Sequence, residues 1–206
     1  MGPDQFQSTF DVPRETLERL AAYAALLTKW NATINLVSKS TLDDVWGRHL
    51  ADSAQLFPLL PQGTRTLVDL GSGAGFPGLV LAILGVPEVH LIESDVRKAA
   101  FLREVARVTG APATVHAVRI ETAPPLRADV VTARALAELG DLLPWAMRFL
   151  KPGGVCLFPK GRSAADELTR IGDSWTMRVE RFPSRTDAEA AILRLSGIAL
   201  SSPRGA

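Results

Sequence analysis

With 206 residues and 47% hydrophobic content, the chain can bury one sizeable core with an appendage, but not two full domains. Lys and Arg number 23 against 22 Asp and Glu, a formal charge of +1, so any polyanion must be met by a local patch and not by the bulk field. The lone cysteine, Cys156, excludes an internal disulfide and a thiolate-clustered metal site; no metal and a cytoplasmic location are expected.

The N-terminus, MGPDQFQSTFDVPRE, is polar and has neither a basic n-region nor an apolar h-region, and no apolar run is long enough to cross a bilayer. A soluble chain with no membrane partner is expected. Asp11 reads as an N-cap ahead of Pro13, and Leu17, Leu20, Ala24 and Leu27 recur at helical spacing up to Trp30. The segment NATINLVSKS breaks that period, with Asn31 and Asn35 bracing the loop, and TLDDVWGRHLADSAQLF resumes it with Thr41 and Asp44 spaced as a capping box. PLLPQGT is a Pro/Gly hinge. It sets the expected organisation: a helical extension over 1–62, a main domain over 63–200 and a disordered tail over 201–206.

Beyond the hinge, TLVDL, VHLIES, ATVHAV, ADVVTA and GVCLF are nearly continuous apolar runs, as strands buried on both faces require. Between them, DVRKAAFLREVARVTG and AELGDLLPWAMRFLKPGG carry helical periodicity and end at glycine. WTMRVERF and AAILRLSG read as a closing pair that leaves an antiparallel strand at the end of the sheet. The pattern predicts an α/β fold, a doubly wound, mostly parallel seven-stranded sheet with helices on both faces.

In such a sheet the first strand-loop-helix is the usual ligand clamp. Here it reads DLGSGAGFPG, where Gly71, Gly73 and Gly75 allow sharp turns and close approach to a ligand. GAGFPG satisfies the GxGxxG pattern of dinucleotide sites, but Asp69 stands two residues before the first glycine and would repel a pyrophosphate. A cationic ligand is favoured instead, and S-adenosylmethionine carries an ammonium and a sulfonium. Glu93, at the end of the second strand, can accept both ribose hydroxyls, a device that nicotinamide enzymes share.

The blocks KWNATINLVS, RHLADS, VDLGSGAGFPGLVLAI, LIESDVRKAAFLREV, VRIE, VVTARALAEL and FPKGR, in this order from Lys29 to Arg162, resemble the glucose-inhibited division protein B family. That resemblance implies a class I, Rossmann-like methyltransferase fold behind an N-terminal helical extension. It also implies methylation of guanine N7 in the 530 loop of 16S ribosomal RNA, within the small subunit or an assembly intermediate. Carried over by position, the cofactor site comprises Gly71, Phe76, Ile120, Glu121 and Arg134. The pair at 120 and 121 would serve the adenine, and Arg134 would stand where methyl transfer occurs.

Guanine N7 has an in-plane lone pair and no proton to lose, so alignment suffices and no catalytic base is required. Cys156 lies mid-run in GGVCLF and reads as buried filler. Arg48, His49, Arg119, Lys160 and Arg162, together with Arg134, are expected to converge as a local RNA-binding rim. His49 stays open between an RNA contact and a structural role. Before the last strand the family tends to carry basic residues, whereas this chain reads Glu189, Ala190 and Ala191, so an RNA contact expected there is either missing or supplied elsewhere. Competing readings are a nicotinamide-dependent oxidoreductase, a small-molecule methyltransferase and an RNA-binding scaffold without turnover.

Overall fold

The computed structural model describes residues 1–201. It opens with α1 (Pro3–Phe10), a helix that no strong periodicity announces, whose Phe6 is fully buried against Phe10 and Trp46, ring centroids 4.7 and 5.4 Å away. Asp11 does not cap the following helix: at φ +48° it closes α1 in the left-handed region, and Pro13 precedes α2 (Arg14–Asn31). Asn31 braces the next loop by accepting the backbone N–H groups of Leu36 and Val37, each at 2.9 Å, while Asn35 is exposed.

The second expected helix is in three pieces: α3 (Lys39–Leu42), a π-helical turn over Trp46–Ala51, and α4 (Asp52–Ala54). The Thr41/Asp44 capping box does not form. The Thr41 hydroxyl donates to the carbonyl of Ser38 at 3.0 Å, and Asp44 accepts the N–H of Gly47 at 3.0 Å, so each residue satisfies a different local turn.

The sheet follows as β1 (Thr66–Leu70), α5 (Gly78–Leu84), β2 (Glu88–Ile92), α6 (Val96–Thr109), β3 (Ala113–His116) and β4 (Ala128–Ala133). It is completed by α7 (Leu139–Met147), β5 (Leu150–Lys160), α8 (Ala164–Ile171), β6 (Trp175–Pro183) and β7 (Ala191–Leu200). Strand order is β3-β2-β1-β4-β5-β7-β6, with β7 antiparallel to both neighbours. The antiparallel strand is thus interior and β6 forms the edge, a correction to the expected end. β7 buries Ala191, Ile192, Leu193 and Leu195, whereas β6 is half exposed, so the more apolar strand takes the slot covered on both sides. α6 has the ends its sequence predicts: Asp95 accepts the N–H groups of Arg97 and Lys98, and Gly110 closes it at φ +62°. α7 stops earlier than expected: β5 begins at Leu150 and takes Lys151, Pro152 and both glycines into the strand ahead of its buried run 155–158, and neither proline nor glycine favours a helix interior.

Alternate residues of each strand serve two cores. Leu67, Leu91, Val130 and Leu157 join α5 and α6, and on that same face lie Phe6, Leu20, Tyr23 and Leu27 of α1 and α2. Val68, Ile92, Val131 and Phe158 pack instead against α7 and α8. The N-terminal helices therefore share one apolar cluster with the sheet. Of the tail expected over 201–206, Ser201 donates its N–H to Ser174 at 3.0 Å, and 202–206 lie outside the described residues. Because Phe6 is enclosed, Phe6→Ala should cost about 3–5 kcal/mol in denaturant unfolding. A loss under about 1 kcal/mol would make α1 a peripheral strap.

Candidate cofactor and RNA site

The loops at the carboxyl ends of β1 to β4 and the segment from Leu36 to His49 enclose a cavity of about 720 Å³. Gly71 turns the chain at φ +61°, a left-handed conformation that favours glycine, and a Cβ there would lie 2.6 Å from a Leu136 methyl and push that side chain aside. Glu93 is buried and bridges two loops: Oε2 accepts the N–H of Gly73 and Oε1 that of Asp95, both at 2.8 Å. A carboxylate has room for about four hydrogen bonds, so two acceptor positions remain on Glu93. Ile120 and Glu121 lie in a 3-10 turn after β3 and line the same cavity with Gly71, Gly73, Phe76, Arg119, Arg134 and His49.

The structure corrects the place of Asp69. Its side chain is fully enclosed and does not line the cavity; Oδ1 accepts from the Thr132 hydroxyl at 2.8 Å, and Oδ2 has no hydrogen-bond partner. Burial pushes this carboxyl up to about 6, against the pull of the Thr132 hydroxyl. It stands behind the loop, away from the cavity wall. Gly75 is also set back, its φ +96° and close neighbours Leu79 and Tyr23 making it a packing glycine. Neither Pro77 nor Gly78, where α5 begins, lines the cavity, so the helix amides that a dinucleotide site turns toward pyrophosphate are not offered there.

Arg134, just past β4, is the centre of the site. Nη1 donates to Asp52 Oδ2 at 3.1 Å and to the carbonyl of Arg48 at 3.3 Å, and Nη2 donates to His49 Nδ1 at 3.1 Å. It does not pair with Glu138, which meets Arg170 instead. The guanidinium carbon lies 4.9 Å from the centroid of Phe76, and that ring stacks with His49 at 4.9 Å and with Tyr23 at 5.3 Å. Tyr23 is buried and donates its hydroxyl to the carbonyl of Ala74, tying α2 to the glycine loop.

His49 has one possible tautomer here. Arginine only donates, so Nδ1 accepts and Nε2 carries the proton, which it gives to Thr41 Oγ1 at 2.9 Å. Burial, with Arg134 adding to it, lowers the ring to about 4. His49 is neutral at neutral pH, with both nitrogens engaged.

A second cavity, about 560 Å³, lies on the far side of Arg134 and shares Thr41, His49, Arg134, Ala135 and Leu136 with the first. Arg48 lines it, half exposed and 3.9 Å from Asp187. Lys160 also lines it, but its expected free charge is absent: Nζ is buried, donating to the carbonyl of Ala137 at 2.7 Å and to Glu167 at 2.8 Å. That cation neutralises Glu167, which also caps α7 through the N–H of Leu139. Arg162 lines neither cavity; it is exposed, 3.9 Å from Glu189. The sequence reading missed Thr41, Asp52, Gln55 and Thr186, of which Asp52 was detectable as the i+3 neighbour of His49 in RHLADS.

The GidB family model, described as rRNA small subunit methyltransferase G, matches residues 16–191. The chain belongs to the GidB family. It is 78% identical over 200 residues to the ribosomal RNA small subunit methyltransferase G of Rhodospirillum centenum, covering 97% of this chain and 91% of that one. The protein of the same name from Paramagnetospirillum magneticum is 60% identical over 195 residues, covering 95% of each. Among solved structures, a putative transferase from Pyrococcus horikoshii aligns with TM-score 0.60 at 17% identity, over 82% of this chain and 67% of that one. TYW2 of M. jannaschii, solved with AdoMet, aligns with TM-score 0.56 at 14% identity, over 82% of this chain and 80% of that one. Both likenesses concern the fold. As a GidB-family rRNA methyltransferase the chain acts on RNA. Among its described residues no helix is long and apolar enough to cross a membrane, and no group of His, Cys, Asp and Glu could hold a metal ion.

The lowered pKa of His49 sets a pH dependence with a definite sign. The unfolded chain takes up that proton first, so the stability contribution is full above about pH 6.5 and falls as pH drops toward 4. Asp69, raised to about 6, runs the other way: the folded form takes up its proton first, so that contribution grows as pH falls through 6. The comparison with His49→Gln removes the Asp69 contribution. The stability gap between the native chain and the variant should shrink by about 2 kcal/mol between pH 7 and pH 5. Urea melts at the two pH values check this, and a constant gap would contradict a neutral buried His49.

Proposed function

We propose that the protein transfers the methyl group of S-adenosylmethionine to N7 of a guanosine in the 530 loop of 16S rRNA. The observation that carries this reading is the junction of the two cavities at His49 and Arg134: a methyl donor in the first and a nucleobase in the second meet there. When bound, the cofactor supplies an electrophilic methyl on a sulfonium. Glu93 has two acceptor positions left for ribose hydroxyls, and Ile120 with Glu121 offers a backbone N–H and a carboxylate toward adenine. Apolar Ile92, Val118 and Trp145 flank that end of the cavity.

The chemistry asks little of the protein beyond alignment. N7 attacks through its own lone pair, so no base must remove a proton, and the site has none poised to do so: His49 is held by Arg134 and Thr41. Cys156 is buried and its thiol is raised by burial, which excludes it as a nucleophile. Arg134 keeps Nε–H and one Nη2 hydrogen outside its protein contacts, donors suited to guanine O6. Positioning of this kind can supply several kcal/mol of the barrier reduction.

Arg48 and Arg119 edge the cavities, Arg162 is exposed farther out, and Arg185 beside Thr186 adds a cation near the place where Glu189 leaves a basic residue missing. These form our proposed phosphate rim; Lys160 serves it only by fixing Glu167. The helical segment 1–62 is proposed as the wall over the donor cavity, and 63–200 as the catalytic unit. The acceptor is proposed to be the small subunit or an assembly intermediate, in the cytoplasm.

Incubation with undermethylated small subunits and labelled S-adenosylmethionine should place the label at N7 of one guanosine in 16S rRNA, read by mapping the modified base. Label on another atom or on a small molecule would refute the assignment. Arg134→Ala should lower methyl transfer by at least about 10²-fold, since misplacement of reacting groups is worth that much, and turnover near the native rate would remove Arg134 from the site.

A further inference from the structure

We infer that Asp52 is a positioning residue for methyl transfer, holding Arg134 in register with one carboxylate oxygen and taking its own orientation from Thr186 with the other. This rests on the function proposed above and adds to it two residues to which that reading gives no task.

The Asp52 carboxylate is largely buried, and its two oxygens are divided. Oδ2 accepts from Arg134 Nη1 at 3.1 Å, while Oδ1 accepts from the Thr186 hydroxyl at 2.7 Å and from Gln55 Nε2 at 3.0 Å. Thr186 belongs to the loop between β6 and β7, 134 residues away in sequence. Gln55 fastens the same loop from the other side: its Oε1 accepts the N–H of Arg185 at 2.7 Å and its Nε2 donates to Ser184 at 3.2 Å.

Arg134 sits at the seam of the two cavities, so a rotation of its guanidinium would move the donors available to a bound base. The long arginine side chain has many rotamers, and a fork of acceptors is what selects one of them. Of the groups that touch it, His49 Nδ1 and the Arg48 carbonyl are neutral, and Phe76 offers only a ring face. Asp52 alone among these partners supplies a full opposite charge. A charge-assisted bond is roughly twice as strong as a neutral one. The Thr186 hydroxyl, at the shorter distance, and Gln55 Nε2 hold the opposite oxygen and so set the carboxylate plane toward Arg134.

An asparagine at 52 loses the full charge toward Arg134, and with its amide oxygen on Arg134 its NH₂ would face the Gln55 Nε2 donor on the other side, even where the Thr186 hydroxyl turns to accept. Asp52→Asn is therefore expected to lower kcat at saturating donor and RNA by about ten- to a hundredfold, with KM for RNA changed less than about threefold. Thr186→Val should reproduce the direction with a smaller loss, and Thr186→Ser should restore most of the rate because it keeps the hydroxyl. If Asp52 acts through Arg134, its loss should largely vanish in an Arg134→Lys background. The nitrogen shift of His49 Nδ1, which reports the Arg134 bond without any turnover, should move in both Asp52→Asn and Thr186→Val.

Losses that multiply in the double variant, a Thr186→Ser enzyme as slow as Thr186→Val, or an unmoved His49 resonance would each overturn the inference. A native protein that methylates no rRNA would refute the proposed function instead, and the His49 resonance would still decide whether Asp52 and Thr186 hold Arg134.

Discussion

A single guanidinium ties the two halves of the chain together. Arg134 leaves the end of β4 and finds all of its hydrogen-bond acceptors in the N-terminal segment: the carbonyl of Arg48, the ring of His49 and the carboxylate of Asp52. A charge that is mostly out of water needs such compensation. The aromatic group beneath it extends the tie. Phe76 comes from the glycine loop and stacks with Tyr23 of α2 and with His49, so loop, helix and π turn are fixed by one cluster.

That arrangement explains why the N-terminal helices do more than cover a face of the sheet. They contribute Leu36, Val37, Thr41 and His49 to the cavity proposed to hold the methyl donor, and their apolar side chains share a core with β1, β2, α5 and α6. The π-helical turn at Trp46–Ala51 brings His49 and Asp52 together under Arg134. Insertions of this type recur at functional sites because they re-aim side chains that a regular helix would send elsewhere. The site charges are matched locally, Arg134 with Asp52 and Lys160 with Glu167; Arg48, Arg119, Arg162 and Arg185 are exposed, Arg48 and Arg162 each 3.9 Å from an acid, and make up the rim proposed above. Such an edge suits a polyanion even on a chain whose net charge is +1.

Much of this was written in local patterns. Apolar runs such as TLVDL and ADVVTA announce strands buried on both faces, because such strands have no wet side to alternate with. Asp95 and Gly110 mark the ends of α6 because capping is a matter of neighbouring backbone groups. Where the outcome depended on competition between local options, the reading failed. Asp11 could cap one helix or end another, and Thr41 and Asp44 could pair with each other or serve separate turns.

The sequence by itself determined the sheet-and-helix alternation, the glycine loop, Glu93 at the second strand end, and a family signature from Lys29 to Arg162, since each depends on residues a few positions apart. Tertiary structure alone decided which charges are free. Asp69 turned out sealed behind the loop, Lys160 consumed by Glu167, and Arg134 bound to Asp52 in place of Glu138. Ion pairs form between groups 82 or 7 residues apart with equal ease once the chain is folded. A carboxylate's role is set by its partners and its access to water, and neither is a property of the residues beside it in the sequence.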